Sequence, residues 1–378
     1  MHASRAHDRR AGLTRRAEHP FPGSIRSGAL CLVLVTSLLM IWAAFMARPI
    51  SDEHPLTTAT RADLRSVAYV VPGDSVDWIY SQPLAGGDAR PLVAFPVPFG
   101  VHLRGLVSPG GDLIAVLRVA SAAAGGQLTL VSASDGAARD VSGAFAYTSQ
   151  LAWSHAGDKV AVVRDDGRTV AEVIVAPQPG QASTGDHFVL SAGTFPGALE
   201  VVPVGYSLDD AGLFIVVLDL DGSTLWRSAG GGLSKVGLLS TGPTLHWALS
   251  PGGDRLAYID RLGVGGERTF AGRTFVIATR EVIKAAGSSD QLGAVWRPGA
   301  GTPDFGGPGG SLRLDDGGAG LSVVPLAWSG DGLALIASLA PEGREGEAAR
   351  VEILHDEYRR PLALEPGIQF LGIIRDYE

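Results

Sequence analysis

Along residues 64–378 short apolar runs alternate with turn-forming residues, and one combination recurs. Residues 245–260 read LHWALSPGGDRLAYID, residues 103–118 read LRGLVSPGGDLIAVLR and residues 150–164 read QLAWSHAGDKVAVVR. Looser copies occupy 204–217 (VGYSLDDAGLFIVV) and 326–336 (LAWSGDGLALI). Each copy has an apolar run ending in a large residue, then a turn built on Ser, Pro, Gly and Asp, then four residues of strand character. Pro109 and Pro251 preset φ for the first corner of a β-turn, the following glycines accept positive φ, and Ser108 or Ser250 can bond the turn backbone. The chain therefore reverses at each copy. The segments 114–117, 160–163, 213–216, 256–259 and 333–336 are apolar at nearly every position, which predicts strands covered on both faces.

Immediately before the turn serine stand Val107, Trp153, Tyr206, Leu249 and Trp328, and one residue earlier stand Leu106, Ala152, Gly205, Ala248 and Ala327. Large beside small suits sheets stacked radially about a crowded axis. The turn serines at 108, 154, 207, 250 and 329 are separated by 46, 53, 43 and 79 residues. A period of about 40–50 residues with four strands per repeat marks a β-propeller. Residues 67–70 match a post-turn strand without its partner, and 367–374 form an apolar strand without a hairpin of its own. Joining the two gives a sixth blade and closes the ring. The expected fold is all-β, a six-bladed β-propeller, with seven blades as the alternative. The 79-residue spacing has room for another blade, but 12 of the 24 residues in 297–320 are Gly or Pro, which reads as a long loop.

Ahead of the repeats the character changes. Residues 1–26 carry six arginines against Asp8 and Glu18 and show no apolar periodicity, as in a short basic tail. Residues 27–47 hold no charge over 21 positions, enough for a helix of roughly 31 Å and one bilayer core. Cleavage after Ala43, Ala44 or Ala47 would place Ile41, Trp42 or Phe45 where a signal peptidase needs a small residue, so an uncleaved signal anchor is expected. Cys31 sits too early in the apolar run to serve as a lipoprotein site. The arginines place residues 1–26 in the cytoplasm and the remainder outside, at the plasma membrane in a single pass. Residues 48–63 are a polar linker, and 64–378 are the extracytoplasmic propeller.

Without the first 47 residues the chain has 25 basic and 37 acidic residues, a net charge of −12, which argues against nucleic acid as a partner. Cys31 is the only cysteine, so the exported part has neither disulfide framework nor thiolate metal site. Asn is absent, leaving Asp135-Gly136, Asp166-Gly167 and Asp221-Gly222 as hairpin signals.

With Ala152-Trp153-Ser154 and Ala327-Trp328-Ser329 as its nearest matches, the region 64–378 resembles the TolB-type, WD-repeat-like propeller, whose repeats read Trp-Ser-Pro-Asp-Gly followed by an Ala-containing strand. The resemblance implies the fold. TolB itself carries an extra N-terminal α/β domain where this chain has its apolar segment, so partnership with a Tol-Pal system does not carry over.

The same propeller forms the lid of prolyl-oligopeptidase-like hydrolases, but Gly205-Tyr206-Ser207-Leu208-Asp209 and Gly73-Asp74-Ser75-Val76-Asp77 lack the last glycine of a nucleophile elbow. Gly263-Val264-Gly265-Gly266 and Gly230-Gly231-Gly232 lack phosphate-loop spacing and read as turns. Asp219-Leu220-Asp221-Gly222-Ser223 begins like a calcium loop but lacks the distal Glu, so a hairpin is expected there. No histidines pair at ligand spacing. No catalytic, cofactor or metal residue is therefore expected. Two functions remain: a membrane-anchored, non-catalytic scaffold of the cell envelope binding a protein or small ligand, and a lyase- or cyclotransferase-like enzyme with its site at the propeller mouth. The first is preferred. Each innermost strand runs toward its Ser-containing turn, so the strand starts ring the opposite mouth. There stand His102, Arg104, Gln150 and His246, with Pro203 and Pro325 at the equivalent place in two other repeats. If 292–296 is the outer strand of its blade, 297–320 overhangs that mouth, making these four residues the candidate binding site.

The topology gives a direct prediction. A reporter enzyme active only in an oxidising compartment, fused after Glu378, is expected to be active. A soluble product starting near Arg48 would instead show a cleaved signal peptide.

Overall fold

The computed structural model describes residues 65–98, 102–121, 125–141, 147–164, 166–175, 187–263, 269–287, 290–312, 320–341, 349–356, 358–362 and 367–375. The basic tail, the expected membrane segment 27–47 and the linker lie outside the described residues. Within them no helix is long and apolar enough to cross a membrane. The only helical element described is the short 3-10 turn Ala192–Thr194.

The chain is a six-bladed β-propeller of antiparallel four-stranded sheets. The innermost strands are Gln369–Arg375 in blade 1, Arg104–Val107 in blade 2, Tyr147–Trp153 in blade 3, Glu200–Tyr206 in blade 4, Thr244–Leu249 in blade 5 and Leu321–Trp328 in blade 6. Between blades 5 and 6 stands a two-stranded half-blade, Leu292–Val295 paired with Asp304–Gly306. Its first strand packs against the innermost strands of both neighbours, so it belongs to the inner ring.

The recurrent turn is built around its serine. Ser108, Ser154, Ser207, Ser250 and Ser329 are all buried. Each donates its backbone N–H to the carbonyl five residues on (2.7–3.0 Å) and accepts on its own carbonyl the N–H three residues on. Its hydroxyl oxygen takes a further N–H, from Leu113, Lys159, Gly212, Arg255 and Ala334 respectively. In four of the five the hydroxyl proton goes to an aspartate of the same turn, Asp158, Asp209, Asp254 or Asp331. A serine so placed satisfies both its own polar atoms and the orphan N–H of the tight reversal. The turns also meet one another. Gly111 O accepts the N–H of Arg375 at 3.1 Å, and a Cβ on Gly253 would lie 3.1 Å from the backbone of Leu208. In blade 4 the same position is Asp210, left-handed at φ 52°, whose carboxylate accepts the N–H groups of His155 and Ala156 at 2.7 and 2.9 Å.

The strands after the turns are covered on both faces: Ile114, Ala115, Val116, Val160, Ala161, Val162 and Leu256 to Ile259 have no accessible surface. Their side chains fill seven apolar clusters, one for each interface around the ring. The large-small alternation is explained at these interfaces. Tyr206 packs with Ala152 of the preceding blade, Trp296 with Ala248 and Leu249 against Gly205, whose Cβ would lie 2.9 Å from the leucine. At the seam Val107 occupies the space where a Cβ on Gly372 would sit, 2.5 Å from the valine Cβ.

Closure follows the expected composite blade. Val67 pairs with Ile373, Ala68 with Gly372, Tyr69 with Phe370 and Val70 with Gln369, joining the two ends of the described propeller in one sheet. Two expectations need correction. Residues 292–296 are not the outer strand of blade 5, because Glu281–Lys284 fills that place. The Gly/Pro-rich stretch 297–320 is not wholly loop, since Asp304–Gly306 is a strand. Glycine serves that strand by close approach: a Cβ on Gly306 would meet the Val323 carbonyl at 2.0 Å. The half-blade is a further copy of the repeat in which Arg297 stands where the others have serine. Ala300 N–H still bonds the Arg297 carbonyl at 3.0 Å, as in the other turns.

Gly372 combines φ 143° with contact against Val107. Gly372→Ala is expected to destabilise by roughly 1–3 kcal/mol, with Gly301→Ala, in open space, near neutral in thermal unfolding. Deleting 367–378 exposes two strand edges and should abolish the cooperative transition; an unchanged transition would contradict closure by the composite blade.

Candidate functional site

The inner strands place the expected site residues at the end of the disc away from the turns, but not as one cluster. His102 lies just ahead of the blade 2 strand, with Nδ1 3.2 Å from Oδ1 of Asp77. That carboxylate is fully buried and also accepts the N–H groups of Gly73 at 3.0 Å and Leu103 at 2.7 Å. His102 thus caps a carboxylate that fastens blade 2 to blade 1. Arg104 is exposed at the start of its strand, opposite Leu117. Gln150 falls where the register shifts between Tyr147 and Leu151. His246 falls at the matching shift in blade 5, left-handed at φ 53°. It is open to solvent, yet the protein packed around the ring pushes its pKa below the ordinary histidine value. His102 and His246 are three blades apart.

A cavity of about 460 Å³ lies on the axis at the other end, reaching the turns through Pro109, His155, Ser250 and Pro251. His102, Arg104 and His246 do not line it. Its walls come from the last residues of the inner strands. Trp153, Trp247, Trp296 and Trp328 line it, four of the seven tryptophans of the chain. The small residues Gly205, Ala248, Ala294 and Ala327 leave the space between them. The cavity is therefore a consequence of the large-small alternation: bulky groups lean into the preceding interface and small ones cannot fill the axis.

The polar ends of these rings are committed to the walls. Trp153 donates to the Leu106 carbonyl and Trp296 to the Ala248 carbonyl, both at 2.9 Å. Trp247 donates to Thr244 Oγ1 at 2.9 Å and Trp328 to Asp304 Oδ2 at 3.1 Å. Tyr206 is buried, and burial, with the Glu172 charge beside it, pushes its pKa far above the ordinary tyrosine value. Asp304 is half-buried, which raises its pKa although Trp328 and Arg297 act the other way. His155 is held by Asp210, with Nδ1 to Oδ1 at 3.2 Å. Burial would raise the Asp210 pKa, but the N–H donors of Ala156 and His155 and the imidazole outweigh it, so the carboxylate titrates below its usual range. No Asp, Glu, Lys or Arg lines the cavity among the described residues. What it offers is ring surface beside about as much polar surface. Among the described residues no group of three or more His, Cys, Asp or Glu side chains is placed to hold a metal ion.

The repeat register exposes what the sequence pattern had missed. Trp296-Arg297-Pro298-Gly299 matches the Trp-Ser-Pro turn in every position but the serine, and with it the spacing of 79 divides into 47 and 32. Arg297 uses its long side chain in place of the hydroxyl: Nε donates to the Gly332 carbonyl at 2.9 Å, and the guanidinium lies 4.7 Å from the Trp328 ring centroid.

No protein family and no curated protein matches this sequence. Solved structures do match its fold. TolB from Acinetobacter baumannii is 12% identical with a TM-score of 0.52, over 84% of this chain and 68% of that one. A prolyl endopeptidase is 13% identical with a TM-score of 0.53, over 85% of this chain, which spans half the length of that enzyme. At such identities the likeness is one of fold, and the chain shares its propeller architecture with TolB and with the propeller-containing peptidases.

Proposed function

We propose that this protein is a membrane-anchored, extracytoplasmic β-propeller that serves the cell envelope as a non-catalytic binding scaffold, with its binding site in the axial cavity at the turn face. The observation that carries this reading is the cavity itself, where aromatic walls from blades 3 to 6 and the half-blade converge with no Asp, Glu, Lys or Arg in the lining among the described residues. A concave site of a few hundred Å³ walled by aromatic rings on a rigid scaffold has the form of a binding pocket. The anchor rests on the uncharged segment 27–47 behind its arginines. Arg65 pairs with Arg375, so the first described strand begins at the turn face. The chain thus enters the described propeller on the face where the cavity opens.

The enzyme alternative asks for acid-base groups at the reacting centre. In the lining the one imidazole among the described residues is that of His155, and its Nδ1 is engaged with Asp210. This favours binding over catalysis.

A photo-crosslinking residue placed at Trp247, at Arg104 or at Leu220 tests the site in intact cells. Leu220 is 87% exposed at a hairpin tip on the face away from the turns. An adduct from position 247 alone is expected. Adducts from Arg104 alone would move the site to the opposite mouth, and adducts from none of the three would remove the scaffold reading.

A further inference from the structure

We infer that the axial cavity is a receptor for an uncharged aromatic ring, an inference that rests on the cavity being the binding site and names the class of ligand. The first observation is the direction of the indole N–H groups. All four are bonded to acceptors in the wall, to the carbonyls of Leu106 and Ala248, to Thr244 and to Asp304. The rings therefore present carbon and π surface to the cavity, and none of the four indoles keeps a free donor for a ligand.

Charge excludes two classes. An anion finds no Lys or Arg in the lining among the described residues, and desolvating it there would be costly. A cation would be attracted by indole faces, but the Arg297 guanidinium already lies 4.7 Å from the Trp328 centroid and repels a second positive charge. A neutral group remains. Among neutral groups a planar ring gains most, because aromatic pairs add about 0.5–1.5 kcal/mol to the area they bury. The space of about 460 Å³ admits such a ring with room beside it.

The ring has two sources of the same chemistry, a free small aromatic molecule or an aromatic side chain on a segment of a partner protein. Calorimetric titration of the full-length protein in nanodiscs, against empty nanodiscs, separates them with three small probes and one peptide. Indole is expected to bind, with tetramethylammonium and benzoate at least tenfold weaker. Filling the axis by Ala327→Leu should weaken indole at least tenfold, and Trp247→Ala, which removes a wall and fills nothing, should weaken it as well. The peptide Gly-Gly-Trp-Gly-Gly binding at least tenfold tighter than indole marks a protein segment as the source; indole binding as tightly as the peptide marks a free molecule. Tetramethylammonium or benzoate matching indole, no indole binding to the wild type, or indole binding unchanged in both folded variants would overturn the inference. Crosslinking at position 247 without indole binding would sink the ligand class and leave the scaffold standing. Indole binding without any adduct would do the reverse.

Discussion

Seven innermost strands crowd around one axis, and the space between neighbours near that axis is too narrow for two ordinary side chains. The same solution recurs at four of the interfaces. One strand offers a bulky residue and its neighbour a small one, as with Leu249 against Gly205, Val107 against Gly372, Tyr206 with Ala152 and Trp296 with Ala248. Close-packed interiors transmit such constraints because a single added methyl has nowhere to go. The side chains beyond the crowded zone then widen into the valine-, leucine- and isoleucine-rich clusters that hold the blades together.

From this interlock the other features follow. A bulky residue can lean into its neighbour only if the strand ends sharply after it, and the serine-centred turn provides that end by satisfying its own backbone. Because each turn is tight, its left-handed residue reaches the neighbouring turn, and the turns make a girdle around one mouth. The bulky residues are aromatic in blades 3, 4 and 6 and in the half-blade, and with their polar ends turned into the wall they leave a dry-sided cavity at that mouth. The proposed binding site is the space left on the axis by the rule that builds the ring.

Much of this was legible in the sequence because the repeat carries its own chemistry. Proline, glycine and serine at fixed offsets announce the turn, and uninterrupted apolar runs announce the covered strands. Even the seam could be read from two orphan strands at the ends of the repeat region. Where the reading failed, a side chain had taken another's role. Arg297 bonds the Gly332 carbonyl and covers Trp328, so the half-blade has no serine to betray it, and its glycines read as loop although Gly306 is there for close approach to Val323. His102 looked like a free polar group at a strand start, but a distant carboxylate, Asp77, holds it. The cavity was invisible for a different reason: it depends on which way indole N–H groups turn, and that is set by carbonyls and hydroxyls on neighbouring strands. Trp247 belongs to that wall while sitting beside His246, which draws the eye toward the opposite mouth.

The interlock at the axis is tested most directly by a double-mutant cycle between Gly205 and Leu249 in the full-length protein, read by equilibrium unfolding. Gly205→Ala introduces a methyl that would lie 2.9 Å from Leu249, on a backbone at φ 150°. The account predicts that Gly205→Ala costs clearly less when Leu249→Ala has already made room, a coupling on the order of 1 kcal/mol or more. Strictly additive costs for the two substitutions would contradict it.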